Sequence, residues 1–177
     1  MLFRSLTAVK QPDLFLEMAT HIVDADPKAC FLIAGGGELE PELRVRATAL
    51  GLGDRVRFLG WRRDVECIYA ASDVVALTSR NEGTPVALIE SMAAAVPGVC
   101  FAVGGVPDVI VSPDLGVLVD EGDVTALARG VLGLLRDAGG RAAMGARART
   151  SVRRRFGIDR LLDDICDLYK RLLCANS

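Results

Sequence analysis

Two runs in this 177-residue chain, Ala29 to Ala34 and Gly98 to Val103, are apolar along their whole length, and Asp73 to Thr78 is a third, β-branched run. Strands buried on one face alternate apolar with polar residues, so a strand without that alternation needs cover above and below. Helical periodicity fills the gaps. Pro12 to Asp24 places Leu14, Phe15, Met18, Ala19, Ile22 and Val23 in a stripe that recurs every three to four residues, with Pro12 acceptable in the first turn. A polar helix is expected from Glu38 to about Leu50, a short one over Asp64 to Ala71, and another over Val86 to Ala95. Arg55 to Leu59 and Leu115 to Val119 read as shorter strands. Strands alternating with helices predict an α/β domain with a doubly wound parallel sheet and helices on both faces.

The remainder is a helical C-terminal segment: Asp123 to Arg136, Gly140 to Arg155, and Ile158 to Leu173, the last with the strongest amphipathic pattern in the chain. No repeat or low-complexity linker interrupts the run, so residues 1–177 are expected to form one domain. Hydrophobic residues make up 51% and aromatics 5%, which predicts an aliphatic core, and a net charge of -2 exerts no general pull on nucleic acid. Five widely spaced cysteines, Cys30, Cys67, Cys100, Cys166 and Cys174, form no C-x-x-C pair and sit mostly in apolar runs. They are expected to be buried, reduced thiols of a cytoplasmic protein. The single histidine, His21, lies in the first helix, which argues against metal ligation and against a catalytic histidine. No apolar stretch is long enough to span a bilayer, and Met1 to Ser5 does not read as a signal peptide.

Chemistry concentrates in Ser79 to Ala94, where Glu82 and Glu90 stand eight residues apart. Glu82 falls in the loop beyond a strand's carboxyl end and Glu90 inside the following helix, at the rim where open α/β sheets bind ligands. Alone, two such glutamates would be explained by solvation. Glu82-Gly83-Thr84-Pro85, however, sets a carboxylate, a permissive glycine and a hydroxyl just before a helix, where free N–H groups attract phosphate oxygens.

This segment resembles the E-x7-E signature of retaining, GT-B type glycosyltransferases of the group 1 family, which are built from two Rossmann-like domains. Further matches follow in order: Leu6 to Lys10 with Pro12-Asp13-Leu14, Leu32 to Gly37, Val56 to Trp61, and Gly104 to Ile110. The resemblance covers nearly the whole chain and corresponds to the C-terminal, donor-binding half of such an enzyme. It implies a nucleoside diphosphate sugar, UDP- or GDP-linked, as donor, an acceptor hydroxyl as nucleophile, and no metal or other cofactor. Glu82 would then bond hydroxyls of the transferred sugar, Glu90 the ribose hydroxyls, and Lys10 the diphosphate, with backbone groups of Gly83, Thr84 and Pro85. Gly36 matches the donor-side glycine turn, and could equally be any tight turn. Arg57 and Leu59 lie in the segment whose backbone meets the nucleobase; Trp61 beside them reads as either a base neighbour or a packing residue.

The sequence departs from the family's Arg-Leu-x-x-x-Lys clamp, since Ser5 stands five residues before Lys10 and Arg4 is one place out of register. Met1 to Ser5 therefore reads as a gene boundary, an alternative start or non-native sequence in place of the family's first strand, which would leave a sheet position unpaired. The acceptor pocket belongs to an N-terminal domain, the expected partner, so catalysis by this chain alone is not expected. A non-catalytic nucleotide-sugar-binding or interaction subunit paired with a separate N-terminal half is the alternative. Ile158 to Leu172 would lack part of its covering surface, which predicts either self-association through the last helix or a last helix that is poorly docked. Between Arg141 and Arg155 stand six arginines and no acid. A solvated helix face is the default there, and contact with anionic lipid headgroups or a lipid-linked acceptor at the inner face of the membrane is the next reading.

Overall fold

The computed structural model describes residues 2–175, with side chains from Ser5 to Cys174. Its strands are β1 (Leu2–Ser5), β2 (Phe31–Gly36), β3 (Val56–Gly60), β4 (Val75–Leu77), β5 (Gly98–Phe101) and β6 (Gly116–Val119). They form two parallel three-stranded sheets, ordered β1-β2-β3 and β4-β5-β6. β1 and β4 lie side by side, so strand order runs outward in opposite directions from that seam. Such a reversal opens a crevice at the carboxyl ends of the central strands.

The helices are α1 (Pro12–Ala25), α2 (Glu40–Ala49), α3 (Val65–Ala70), α4 (Val86–Ala93), α5 (Val106–Val109), α6 (Val124–Arg136), α7 (Ala138–Phe156) and α8 (Ile158–Ala175). Local chemistry starts several of them. Pro12 opens α1, Asp123 caps α6 by accepting from the Ala126 N–H at 2.8 Å, and Asp137 caps α7 through the Gly140 N–H at 2.8 Å. α1 packs with α6 and α4 with α7 over a continuous core in which Phe15, Ile33, Val75, Leu88, Val99 and Leu127 are fully buried. That arrangement is the predicted doubly wound sheet with helices on both faces.

Three expectations are corrected. Leu2–Ser5 is a strand, in register from Leu2 opposite Ile33 to Ser5 opposite Gly36, so the sheet position beside β2 is filled. β3 is an edge strand, buried at Val56 and exposed at Arg57, so cover on both faces fails there. Only Cys100 is a buried thiol; Cys30, Cys67, Cys166 and Cys174 are exposed. Cys100 lies at the carboxyl side of the sheet, and its thiol is pushed up to about 12, chiefly by burial and further by the negative charge of Glu82.

Candidate functional site

β1 and β4 both end at the seam, and the segments that follow them converge. After β1 the chain turns through a 3-10 helix, Ala8–Lys10, then takes Gln11 in the left-handed region (φ 44) before α1 begins. After β4 come Thr78 and Ser79, both buried hydroxyls, and then the exposed loop that contains Glu82. The two segments are stitched together: the Thr78 hydroxyl donates to the Lys10 carbonyl at 3.0 Å, and the Arg80 N–H to the Val9 carbonyl at 2.8 Å.

Those bonds deliver the Lys10 ammonium to Glu82 Oε1 at 2.8 Å, with the side chains 25% and 10% exposed. Ser79 Oγ donates to the same oxygen at 2.7 Å. Both bonds fall on Oε1, which leaves Oε2 and two of the three ammonium protons for other partners. A hollow of about 180 Å³ opens here, lined by Ser5, Lys10, Glu82, Thr84, Pro85 and Val86 among others. α4 starts at its floor from Pro85, and no side chain caps it. Its first turn therefore presents the positive end of the helix to the hollow.

Glu82 is set by backbone as well as by charge. The Gly105 N–H donates to the Glu82 carbonyl at 2.8 Å. A Cβ on Gly104, whose φ is +49, would lie 2.0 Å from the Glu82 carbonyl oxygen, and one on Gly105 would lie 2.0 Å from that of Gly83. Only glycines let the segment after β5 lie this close against the Glu82 loop. Gly104-Gly105 thus shapes the loop, as a turn rather than as a reacting group.

Glu90 stands one helical turn beyond Val86 on the same side of α4. Tyr69, buried on α3, places its hydroxyl 3.0 Å from Glu90 Oε2 and 3.1 Å from the Ala87 carbonyl. Sequence reasoning missed this tyrosine, and missed Thr78, Ser79 and Gln11. Two hydroxyls closing an apolar strand were the available signal for Thr78 and Ser79. Gln11 Oε1 is buried without a hydrogen-bond partner beside the Lys10 turn, and only the fold reveals that.

The structure thus brings together Lys10, Glu82, Thr84 and Pro85, with Gly83 exposed at the lip and Glu90 adjacent. Gly36 joins through β1, since the Leu6 N–H donates to its carbonyl at 3.1 Å. The glycine turn has packing reasons of its own: a Cβ on Gly36 would meet Trp61 Nε1 at 2.7 Å, and one on Gly37 would meet the Leu6 carbonyl oxygen at 2.4 Å. Trp61 is 73% exposed, laid over that turn by its edge. Leu59 sits at a register shift, where Phe58 faces Ile33 and Gly60 faces Ala34. Arg57 is not brought to this rim. It pairs with Leu32 near the start of β3 and lines a separate hollow of about 470 Å³ at the amino ends of β2 and β4. The Arg4 side chain lies outside the described residues.

Half of the arginine-rich stretch on α7 has structural work. Arg141 binds the Leu134 and Leu135 carbonyls and Asp73, Arg147 pairs with Asp114 at 3.3 Å, and Arg155 reaches the Val109 carbonyl at 3.1 Å. Among the described residues no cluster of histidine, cysteine, aspartate and glutamate could hold a metal ion, and no helix is long and apolar enough to cross a membrane.

The model of the family Glycosyl transferases group 1 matches residues 3–151. The chain belongs to that family. It is 37% identical over 172 residues to a D-inositol 3-phosphate glycosyltransferase of Salinispora tropica, covering 91% of this chain and 36% of that protein. It is 33% identical to the N-acetyl-alpha-D-glucosaminyl L-malate synthase of Bacillus anthracis, covering 97% of this chain and 44% of the relative. The chain therefore spans less than half the length of these two curated relatives. Among solved structures it superposes on Anabaena Alr3699/HepE in complex with UDP with a TM-score of 0.87 at 24% identity, covering 96% of this chain and 49% of that one. The C-terminal domain of a Francisella tularensis group 1 glycosyl transferase, LpcC, gives 0.81 at 22% identity over 89% of this chain and 85% of that one. The fold is accordingly the Rossmann-like one of GT-B C-terminal domains.

Proposed function

We propose that this chain supplies the donor-binding half of a retaining glycosyltransferase of hexosyltransferase type, holding a UDP- or GDP-linked sugar at the seam between β1 and β4. The observation behind this reading is the Lys10–Glu82 pair at 2.8 Å beside the uncapped start of α4. A cation, a carboxylate with one free oxygen and a helix N-terminus meet within a single hollow, which is what a sugar–diphosphate junction requires. HepE, similar in fold, is described in complex with UDP, and the two curated relatives are a glycosyltransferase and a glucosaminyl malate synthase.

In this reading Glu82 Oε2 accepts from hydroxyls of the sugar, while Glu90, steadied by Tyr69, accepts from the ribose hydroxyls. As the sugar–phosphate bond breaks, its electron pair leaves with the diphosphate, whose growing charge is met by Lys10 and by N–H groups of Gly83 to Pro85. The acceptor hydroxyl adds to the face the diphosphate leaves, and its proton passes to the departing phosphate oxygen. The acceptor itself is held by an N-terminal domain like the remainder of the longer relatives, and the reaction belongs to the cytoplasm or the inner face of its membrane.

Ser5 favours a second reading. It lines the hollow where the family's arginine would stand, so the clamp is one charge weaker. A binding subunit that retains the donor without turning it over, beside a separate N-terminal half, would tolerate that loss. Calorimetric titration with a panel of nucleoside diphosphates and their sugars tests both readings. Heat with one nucleotide family supports donor binding, and silence across the panel overturns it. Sugar transfer on adding an N-terminal half separates enzyme from binding subunit.

A further inference from the structure

On α7, Arg147, Ser151 and Arg154 follow one another at steps of four and three residues, so they share a single helical face two turns long, with Arg155 beside it. That face forms one wall of a hollow of about 530 Å³. The other wall is the segment 111–115, which leads into β6. Lys10 and Glu82 stand beyond the carboxyl ends of β1 and β4, whereas this hollow lies at the amino end of β6, so the two are separate.

Its lining sets three guanidiniums against one carboxylate, and the three are held differently. Arg147 uses only Nε, on the Asp114 carbonyl at 3.1 Å and the Asp114 carboxylate at 3.3 Å. Arg155 gives one N–H to the Val109 carbonyl at 3.1 Å and another to the Asp108 carbonyl. A guanidinium carries five N–H donors, so both are fixed in place with most of their donors unspent. Arg154 is exposed, and neither it nor the Ser151 hydroxyl has a partner among the described residues. The Asp114 carboxylate is already engaged by the Ser112 hydroxyl and by Arg147, which leaves the surplus positive charge to a ligand. Two guanidiniums fixed beforehand lose little side-chain entropy when an anion arrives.

We propose that this hollow binds a phosphate ester with an apolar substituent, its oxyanion held by Arg147, Arg154, Arg155 and the Ser151 hydroxyl. Three guanidinium forks and a hydroxyl offer more donors than the two oxygens of a carboxylate can use, and a phosphate supplies the further acceptors. The substituent has a place as well. A second hollow, of about 300 Å³, shares Val111 and Ser112 with the first and is otherwise lined by Ile110, Pro113, Gly116, Val117 and Leu118. A bare phosphate leaves that apolar hollow unused, and an ester fills both. A lipid headgroup and a soluble phosphate ester share this chemistry.

Nitrogen-15 spectra of the 177-residue chain, titrated with inorganic phosphate at constant ionic strength, test the site residue by residue. The Ser151 amide and Arg154 Nε signals should shift with a dissociation constant on the order of a millimolar, and equally so in Lys10→Met, which keeps this site while losing the other. Arg154→Gln, a change at an exposed position, should weaken the response about tenfold. Shifts confined to the surroundings of Lys10 and Thr84, or an Arg154→Gln titration that matches the parent's, overturn the site. Hexyl phosphate should bind roughly tenfold tighter than inorganic phosphate, and equal affinities overturn the apolar half. Vesicles of phosphatidylglycerol in phosphatidylcholine separate the two sources. Co-sedimentation that Arg154→Gln abolishes assigns the phosphate to a lipid headgroup; a chain that binds hexyl phosphate here but leaves the vesicles alone takes a soluble ester.

Discussion

Glu82 and Glu90 share one short segment but are held by different means. Glu82 sits in a loop pinned through its backbone by Gly104 and Gly105 and through Oε1 by Lys10 and Ser79. Glu90 is carried on a regular helix, and its carboxylate meets a buried tyrosine hydroxyl. The first carboxylate is thus already charge-compensated, and a ligand must share or displace that compensation. The second counts a neutral tyrosine hydroxyl among its partners. In the proposed reading, affinity for the nucleotide should reside mainly at Glu90, which faces the ribose, and discrimination between donor forms at Glu82, which faces the sugar.

The hardest test of that division is Glu90→Ala. If Glu90 accepts from two ribose hydroxyls as proposed, removing its carboxylate forfeits about 3–6 kcal/mol, so nucleoside diphosphate binding should fall by about two to four decades, below calorimetric detection. An affinity near the parent's would remove the ribose from this position altogether.

Lys10→Met should come next. One charge-assisted contact to the diphosphate is worth roughly 1.5–3 kcal/mol, or about one to two decades, while the uncharged nucleoside should bind as before. Equal losses for nucleoside and diphosphate would show that the substitution disturbs the Ala8–Lys10 turn rather than the phosphate contact.

The relation between sequence and structure follows the same contrast between local and distant determinants. β2, β4 and β5 were legible because strands buried on both faces have no polar positions, although β2 starts two residues later than the apolar run, at Phe31 rather than Ala29. β1 was not legible: Arg4 and Ser5 break the apolar pattern, and only the ladder to β2 makes Leu2–Ser5 a strand. Cys30, Cys67, Cys166 and Cys174 sit in apolar neighbourhoods, yet periodicity does not say whether a stripe has a partner, and on α8 it has none within the domain. At the site, Glu82, Glu90 and Lys10 were candidates because they match a linear motif. Tyr69 was invisible, since its bond to Glu90 joins residues 21 apart on different helices and leaves no local trace. Arg57 was misplaced for the complementary reason: one strand position decides which rim of the sheet a residue lies nearer.

Glu82→Ala should separate the two carboxylates more finely. Affinity for the bare nucleoside diphosphate should hold, or rise by up to about threefold, because Lys10 is released from its ion pair and turns wholly to phosphate. Preference for the sugar-bearing form should vanish, a loss of about a decade for each hydroxyl contact. Parallel losses for both ligands would contradict the assignment of Glu82 to the sugar.

Tyr69→Phe is expected to have the smallest effect, and it asks whether Glu90 needs its partner. The ring is buried and stays in place as phenylalanine, so the core loses no volume, and what disappears is a hydroxyl that lies 3.0 Å from Glu90 Oε2 and 3.1 Å from the Ala87 carbonyl. A neutral hydrogen bond of this kind contributes about 0.5–1.5 kcal/mol, so thermal stability should drop slightly. Without the hydroxyl, the Glu90 carboxylate loses one of the bonds that orient it, which should weaken nucleoside diphosphate binding by at most roughly fivefold. The loss should be shared equally by the sugar-bearing and sugar-free forms, because the ribose is common to both. Calorimetry on the two ligands side by side checks this: a change in sugar preference, the signature expected of Glu82, would mean that Tyr69 acts on the whole hollow rather than through Glu90.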